Sequence, residues 1–231
     1  VIGGNRRVSV LVPVFDAERY LGEALDSALS QSKPPAEVVV VDDGSLDGSL
    51  RVAASFGDRV RVIRQAHAGI GPARNRLVAE AVGEWLAFLD ADDRWTPSAL
   101  AAHFEVLETR PDADAAVGRV VQFVSPELPE AARALLACPE GSMPGTHPGA
   151  SLLRRSAFLR VGPFRVDLRV GEFVDWWMRG VEAGLDAVPH DTVVLERRLH
   201  ETNTGRREKA AVTDYLKVVR QALARRRGGA P

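Results

Sequence analysis

The sequence predicts an α/β fold: a mostly parallel central sheet flanked by helices, with an amphipathic helix at its C-terminal end. Three observations predict it. Short apolar runs alternate with helix-periodic segments over roughly the first ninety residues. Two of those runs, VVVV at residues 38–41 and LAFL at 86–89, end in clustered carboxylates, DDGS and DADD. A parallel sheet presents acids in this way at its carboxyl edge, where ligands bind. Finally, 45% hydrophobic content in 231 residues can fill one large core or two small ones, and one is the simpler reading.

The elements follow in order. Residues 8–14 (VSVLVPV) are dense in β-branched side chains and break at Pro13, which reads as a buried first strand ending at a functional edge. Asp16 reads as the N-cap of the next helix. There Tyr20, Leu21, Ala24, Leu25, Ala28 and Leu29 form one stripe before Pro34 and Pro35 stop it. Strands are expected at 38–41, 60–63 and 84–89, with helices at 46–56 and at 71–81, where Pro72 sits in the first turn. This alternation implies right-handed crossovers.

The second half is less regular. Helices are expected at 96–109, 126–136, 172–183 and 209–227, and strands at 115–124, 150–153 and 193–199. Ser156 reads as the cap of a turn. Residues 138–149 (CPEGSMPGTHPG), rich in Gly and Pro, read as a mobile loop. In the last helix Val212, Tyr215, Leu216, Val219 and Leu223 share a face. No internal repeat or low-complexity tract is present.

Composition excludes several classes. With 30 Lys+Arg against 31 Asp+Glu the net charge is -1, so no global basic field points to nucleic acid. Residues 206–227 carry eight Lys/Arg against two acids, making a basic tail on an acidic body. Such a helix could touch an anionic membrane surface; the plainer expectation is that its apolar face packs on the body or on a second copy. Cys138 is the only cysteine, which excludes an intrachain disulfide and a cysteine-based zinc cluster. No apolar stretch approaches the roughly 20 residues of a membrane span, and VIGGNRR lacks a signal-peptide core, so a soluble, cytoplasmic protein is expected.

In order along the chain, VSVLVPVFDAERYLGEALDSALSQ, VVVVDDGSLDGS and GIGPARNRLVAEAVGEWLAFLDADD resemble the family 2 glycosyltransferases of GT-A fold over roughly the first hundred residues. The resemblance implies a Rossmann-like sheet with a glycosyltransferase domain at 1–205, divided into a nucleotide-sugar-binding half (1–110) and an acceptor half (111–205), and a helical tail at 206–231. It implies a metal-dependent, inverting hexosyl transfer from a nucleoside diphosphate donor, expected to be a UDP-sugar, to an acceptor hydroxyl. Glycan, lipid-linked saccharide, small metabolite and peptide acceptors all stay open.

Individual residues follow. Asp42 and Asp43 are adjacent acceptor-only groups that suit a nucleobase imide and a ribose hydroxyl. The bland alternative is a turn in which Asp42 only caps a helix. The resemblance puts the base contact on Asp43, with Pro13 and Phe15 lining the base pocket. The close carboxylates of Asp90, Asp92 and Asp93 call for a cation, and hard oxygen ligands select Mg²⁺ or Mn²⁺, the plainer alternative being a solvated helix cap before RWTP. By resemblance Asp92 ligates the metal and Asp90 contacts ribose or donor sugar. By resemblance His200, after the last strand, could complete the metal shell, which would favour Mn²⁺, or it is an ordinary polar residue at a strand end; beside it a loop of Thr202, Asn203, Thr204 and Gly205 could fold over the diphosphate. Arg74 lies where a strand gives way to a helix, suited to phosphate or equally to an ordinary surface.

In GEFVDWWMRG, Phe173 stands where family members often carry the catalytic Asp. Glu172 and Asp175, three apart on one helix face, are the candidate bases, Glu172 first and Asp175 second or as an orienting group. Trp176 and Trp177 could floor a sugar subsite, or belong to the core. His147 and His190 lack sequence neighbours that would give them a role. A nucleotidyltransferase and a non-catalytic nucleotide-sugar-binding protein are the alternatives. The first should carry a Gly-rich, Lys-containing loop after the first strand, where PVFDAERY has none.

Overall fold

In the computed structural model, residues 6–136, 138–201, 203 and 209–228 are described, without the side chains of 209–212 and 226–228. Strand β1 (Val8–Val14) runs between β2 (Glu37–Asp42) and β4 (Trp85–Phe88), both parallel to it, and β3 (Arg61–Arg64) extends the sheet beyond β2. All seven residues of β1 are buried because both faces are covered. The period of two shows why. Val8, Val10, Val12 and Val14 join one core cluster, with Leu21, Leu25 and Phe104, while Leu11 joins the other, with Leu77, Phe158 and Trp176.

Helix α1 (Glu18–Leu29) buries Tyr20, Leu21, Ala24, Leu25 and Ala28, the stripe its spacing predicts. Its cap differs from expectation. Asp16 adopts a left-handed φ of 47° and its Oδ1 accepts from Leu46 N at 2.8 Å. The backbone N–H groups of Ala17 and Glu18 are instead met by Ser49 Oγ (2.8 Å) and Asp47 Oδ2 (2.9 Å), from the loop after β2. Capping across thirty residues of sequence ties together the two loops at the carboxyl edge. Helix α2 (Ser49–Ala54) is shorter than expected and runs into a 3-10 turn, and α3 (Ile70–Glu80) leads to β4.

Next come β5 (Arg94–Trp95), α4 (Ala99–Thr109), β6 (Ala115–Val124), α5 (Glu130–Ala134), β7 (Ser142–Pro144), β8 (Ser151–Arg154), α6 (Arg155–Val161), α7 (Glu172–Glu182), β9 (Ala187–Leu199) and α8 (Lys209–Gly228). The sheet order is β3-β2-β1-β4-β8-β6-β9-β5, with β7 on β6. Its long ladders are parallel, whereas each antiparallel ladder spans at most three residue pairs. The sheet is therefore mostly parallel, flanked by helices.

Several boundaries move for physical reasons. Residues 94–95 pair with β9, so the helix expected from 96 starts at Ala99. Strand β9 begins at Ala187, because the register shift opposite Val117 and Arg119 absorbs the polar stretch 189–192 that masks it in sequence. The segment read as a mobile loop is built structure: Ser142–Pro144 pairs with β6, and a 3-10 turn at Pro148–Ala150 is buried. Helix α6 starts at Arg155 after Arg154, without the Ser156 cap.

The last helix also turns a different face inward. Asp214, Val218 and Ala222 are buried, whereas Tyr215, Leu216, Val219 and Leu223 are about half exposed. Asp214 Oδ2 accepts from Arg169 N at 3.0 Å, and Arg225 pairs with Glu182 of α7 at 2.6 Å. These polar links, not the apolar stripe, set the rotation of the helix. Among the described residues, no helix is long and apolar enough to cross a membrane.

Candidate active site

A cleft of about 1320 Å³ opens along the carboxyl edge, bordered by the tips of β1, β2 and β4, the start of α7 and the end of β9. Parallel strands put these tips on one side, which is why acids fifty residues apart meet.

At the β2 tip the adjacent acids divide. Asp42 is buried, its Oδ1 accepting from Ser45 N at 3.1 Å, and it braces the turn without lining the cleft. Asp43 lines the cleft beside Pro13 and Phe15. Its carboxylate accepts from Gln65 Nε2 (2.7 Å), Ala68 N (3.0 Å) and Gly69 N (2.8 Å), and His67 Nδ1 lies 2.9 Å away. Phe15 is 46% exposed and stacks on His67, with centroids 4.1 Å apart and planes 29° apart. His67 was invisible to sequence reasoning because only the fold brings it to Asp43.

Arg74, on α3, is buried and turned toward acids. One terminal nitrogen donates to Asp90 Oδ1 and the other to Glu172 Oε1. Its guanidinium therefore links the β4 tip to the start of α7, a role neither the phosphate reading nor the surface reading anticipates. Burial alone would raise Asp90, but Arg74, helped by His147 and Arg197, holds it below the usual carboxylate range.

Three acids crowd the β4 tip. Asp92 Oδ2 lies 2.9 Å from His200 Nε2 and accepts from Asn203 Nδ2 at 3.2 Å. Asp93 Oδ1 accepts from Arg198 N at 2.8 Å. Burial first, then the charges of Asp92 and Asp90, push Asp93 well above the ordinary carboxylate range. Three carboxylates gathered at one strand tip make an oxygen-rich donor set that fits a hard divalent cation. Ligand atoms of Asp90, Asp93 and His147 also lie within 4.8 Å of one another. His147, assigned no role from sequence, lines the cleft with its Nε2 3.8 Å from Asp90 Oδ2. Thr202, Thr204 and Gly205 lie outside the described residues.

On α7 the two candidate bases part company. Glu172 lines the cleft at the first residue of the helix. Asp175 is fully buried and does not line it: Oδ2 accepts from Arg179 Nε at 2.8 Å, with Arg225 and Arg165 at 3.8 and 4.0 Å from Oδ1. Residues three apart share a face only loosely, and Arg179, one turn on, draws Asp175 away from the cleft. Phe173 and Trp176 belong to the core: the Trp176 indole N–H donates to Gly162 O at 2.9 Å and its ring stacks on Phe158 at 5.2 Å. Trp177 packs on Phe173, so neither tryptophan floors a sugar subsite.

The family model of glycosyl transferase family 2 matches residues 9–166. An uncharacterised glycosyltransferase of Rickettsia typhi is 26% identical over 208 residues, covering 85% of this chain and 65% of that protein. One of Nostoc is 41% identical over 107 residues, 45% of this chain and 33% of the relative. The chain thus spans less than two thirds of the length of these relatives. Among solved structures, Staphylococcus aureus TarS 1-349 in complex with UDP-GlcNAc superposes with a TM-score of 0.74 at 20% identity, covering 94% of this chain and 65% of that one. The mannosyltransferase PcManGT of Pyrobaculum calidifontis, in complex with GDP-Man and Mn²⁺, gives 0.68 at 23%, with the same coverages. At such identity these likenesses speak to the fold alone. With more than half of its length matched by the family model, and with this sheet and cleft, the chain belongs to glycosyltransferase family 2 and has the GT-A fold.

Proposed function

We propose that this chain is a metal-dependent, inverting glycosyltransferase that moves a sugar from a nucleoside diphosphate donor, a UDP-sugar, to an acceptor hydroxyl. The observation that carries the reading is the convergence of Asp43, Asp90, Asp92 and Glu172 on one cleft. In this reading residues 1–110 hold the donor, 111–205 face the acceptor and 206–231 form an appended tail.

Phe15 and Pro13 flank the base, and Asp43 accepts its imide N–H in exchange for the exposed His67. Asp92 and His200 would hold Mn²⁺ or Mg²⁺, which when bound stabilises negative charge on the departing diphosphate. Glu172 takes the proton of the acceptor hydroxyl; the new oxygen–carbon bond forms at the anomeric carbon as its bond to the diphosphate breaks on the opposite face. Glu172 is the cleft carboxylate that α7 supplies, and as a base it suits a one-step displacement. Arg74 keeps Glu172 and Asp90 aligned across the cleft.

Release of UDP from UDP-sugars with Mn²⁺ and a panel of acceptors is the test, repeated in Glu172→Gln and Asp92→Ala. Turnover that needs metal and is lost in both variants is expected. Turnover untouched in both would overturn the assignments, and nucleotide-sugar binding without turnover on any acceptor would favour a non-catalytic binding protein.

A further inference from the structure

We infer that His147 is a donor-sugar residue: its Nε2–H and the Asp90 carboxylate, 3.8 Å apart, form a paired hydrogen-bond donor and acceptor for one hydroxyl of the transferred sugar, and His147 is not a metal ligand. The inference rests on the glycosyltransferase reading above and adds a residue to it.

The tautomer decides the matter. Gly149 N donates to His147 Nδ1 at 3.1 Å, and a backbone N–H can only donate. Nδ1 therefore presents its lone pair to Gly149, and the neutral ring carries its proton on Nε2. With Nδ1 accepting, the ring can carry one proton only, and it is neutral. Although the ligand atoms of Asp90, Asp93 and His147 are close enough for one ion, Nε2 has no lone pair to give in this tautomer. Ligation would move the proton to Nδ1, against the Gly149 N–H.

The turn that sets this geometry has no slack. His147 N donates to Gly145 O at 2.7 Å, Ser151 Oγ donates to His147 O at 3.0 Å, and the Trp95 indole N–H holds Gly149 O at 2.7 Å. A Cβ at Gly145 would sit 2.3 Å from Gly118 O, so the chain threads a space that only glycine fits. The imidazole is thus delivered to the cleft wall pre-aimed. What it faces must accept from an N–H and donate to a carboxylate at the same point. A phosphate oxygen cannot donate to Asp90 and would be repelled by it; a sugar hydroxyl does both.

The test compares wild type, His147→Ala and His147→Gln, since the glutamine amide can restore an N–H donor. Three readouts are needed: Mn²⁺ affinity measured by the paramagnetic signal of the free ion, calorimetric affinity for UDP and for UDP-hexoses with Mn²⁺, and ring-nitrogen NMR of the tautomer. Expected are a proton on Nε2 in wild type and, in His147→Ala, Mn²⁺ and UDP affinities within twofold of wild type. That variant should bind the preferred UDP-hexose about tenfold more weakly, with His147→Gln recovering most of the loss. Loss of Mn²⁺ affinity in both variants, or a proton on Nδ1, would overturn the inference. So would equal weakening of UDP and UDP-hexose. If wild type binds no nucleotide at all, the glycosyltransferase reading fails separately, and the tautomer still decides the assignment of His147.

Discussion

Arg74 and Glu172 meet in a buried ion pair, and the same guanidinium also holds Asp90, so one side chain of α3 fixes the acids on both walls of the cleft. Glu172 is buried with Arg74, whereas Asp90 is partly open to the cleft, so Glu172 depends most on the guanidinium for charge compensation.

Arg74→Ala should accordingly lose about 3–5 kcal/mol of stability, because it strands the buried Glu172 carboxylate. Urea unfolding measures it, and adding Glu172→Gln to Arg74→Ala should recover part of the loss. An Arg74→Ala protein as stable as wild type would mean that the pair does not form.

Glu172 and Asp175 should separate by kind of defect. Glu172→Gln is expected to lower kcat by about 10²–10⁴-fold with donor affinity retained, the range for removing a general base. Asp175→Asn should lower the melting temperature and leave kcat of the folded fraction near wild type, since Asp175 meets Arg179 and not the cleft. The reverse pattern would exchange their roles.

Phe15→Ala should weaken UDP binding by roughly tenfold, within the ~1–3 kcal/mol that base–aromatic stacking contributes. His67→Ala should not weaken it, because the proposed base takes the place that His67 holds beside Asp43 and Phe15. Calorimetric titration of both variants with UDP distinguishes a base platform from a surface pair.

Acid should destabilise the fold through His103 and His190, whose rings meet with Nε2 of His190 3.0 Å from Nδ1 of His103. Burial, then His190, pushes His103 down to about 3; burial also lowers His190, outweighing Asp191 and Glu105. Below the unfolded value of about 6.5 the unfolded chain binds more protons than the folded one, so this stability is present above pH 6.5 and lost as pH falls toward 3. The slope from His103 approaches about 1.4 kcal/mol per pH unit. His103→Leu should flatten the acid limb of a stability-against-pH curve; an unchanged limb would assign it to other groups.

The sequence by itself determined the strand tips, the helices over them and the family. Those are local matters: a β-branched run such as VVVV bounded by turn residues favours a covered strand, and DDGS or DADD after a parallel strand falls at the carboxyl edge. It also marked Asp43, Asp90, Asp92, Glu172 and His200, all of which the fold brings to one cleft. Only the tertiary structure decided which neighbouring group each of them meets. Arg179 claims Asp175 and the core claims Trp176, while Arg74 turns from phosphate to two acids. The turn at 145–151 carries His147 to Asp90, more than fifty residues away. Periodicity fixes the face of a helix to within about one residue's rotation, roughly 100°, and a charged side chain then points to whichever partner long-range packing has brought within reach.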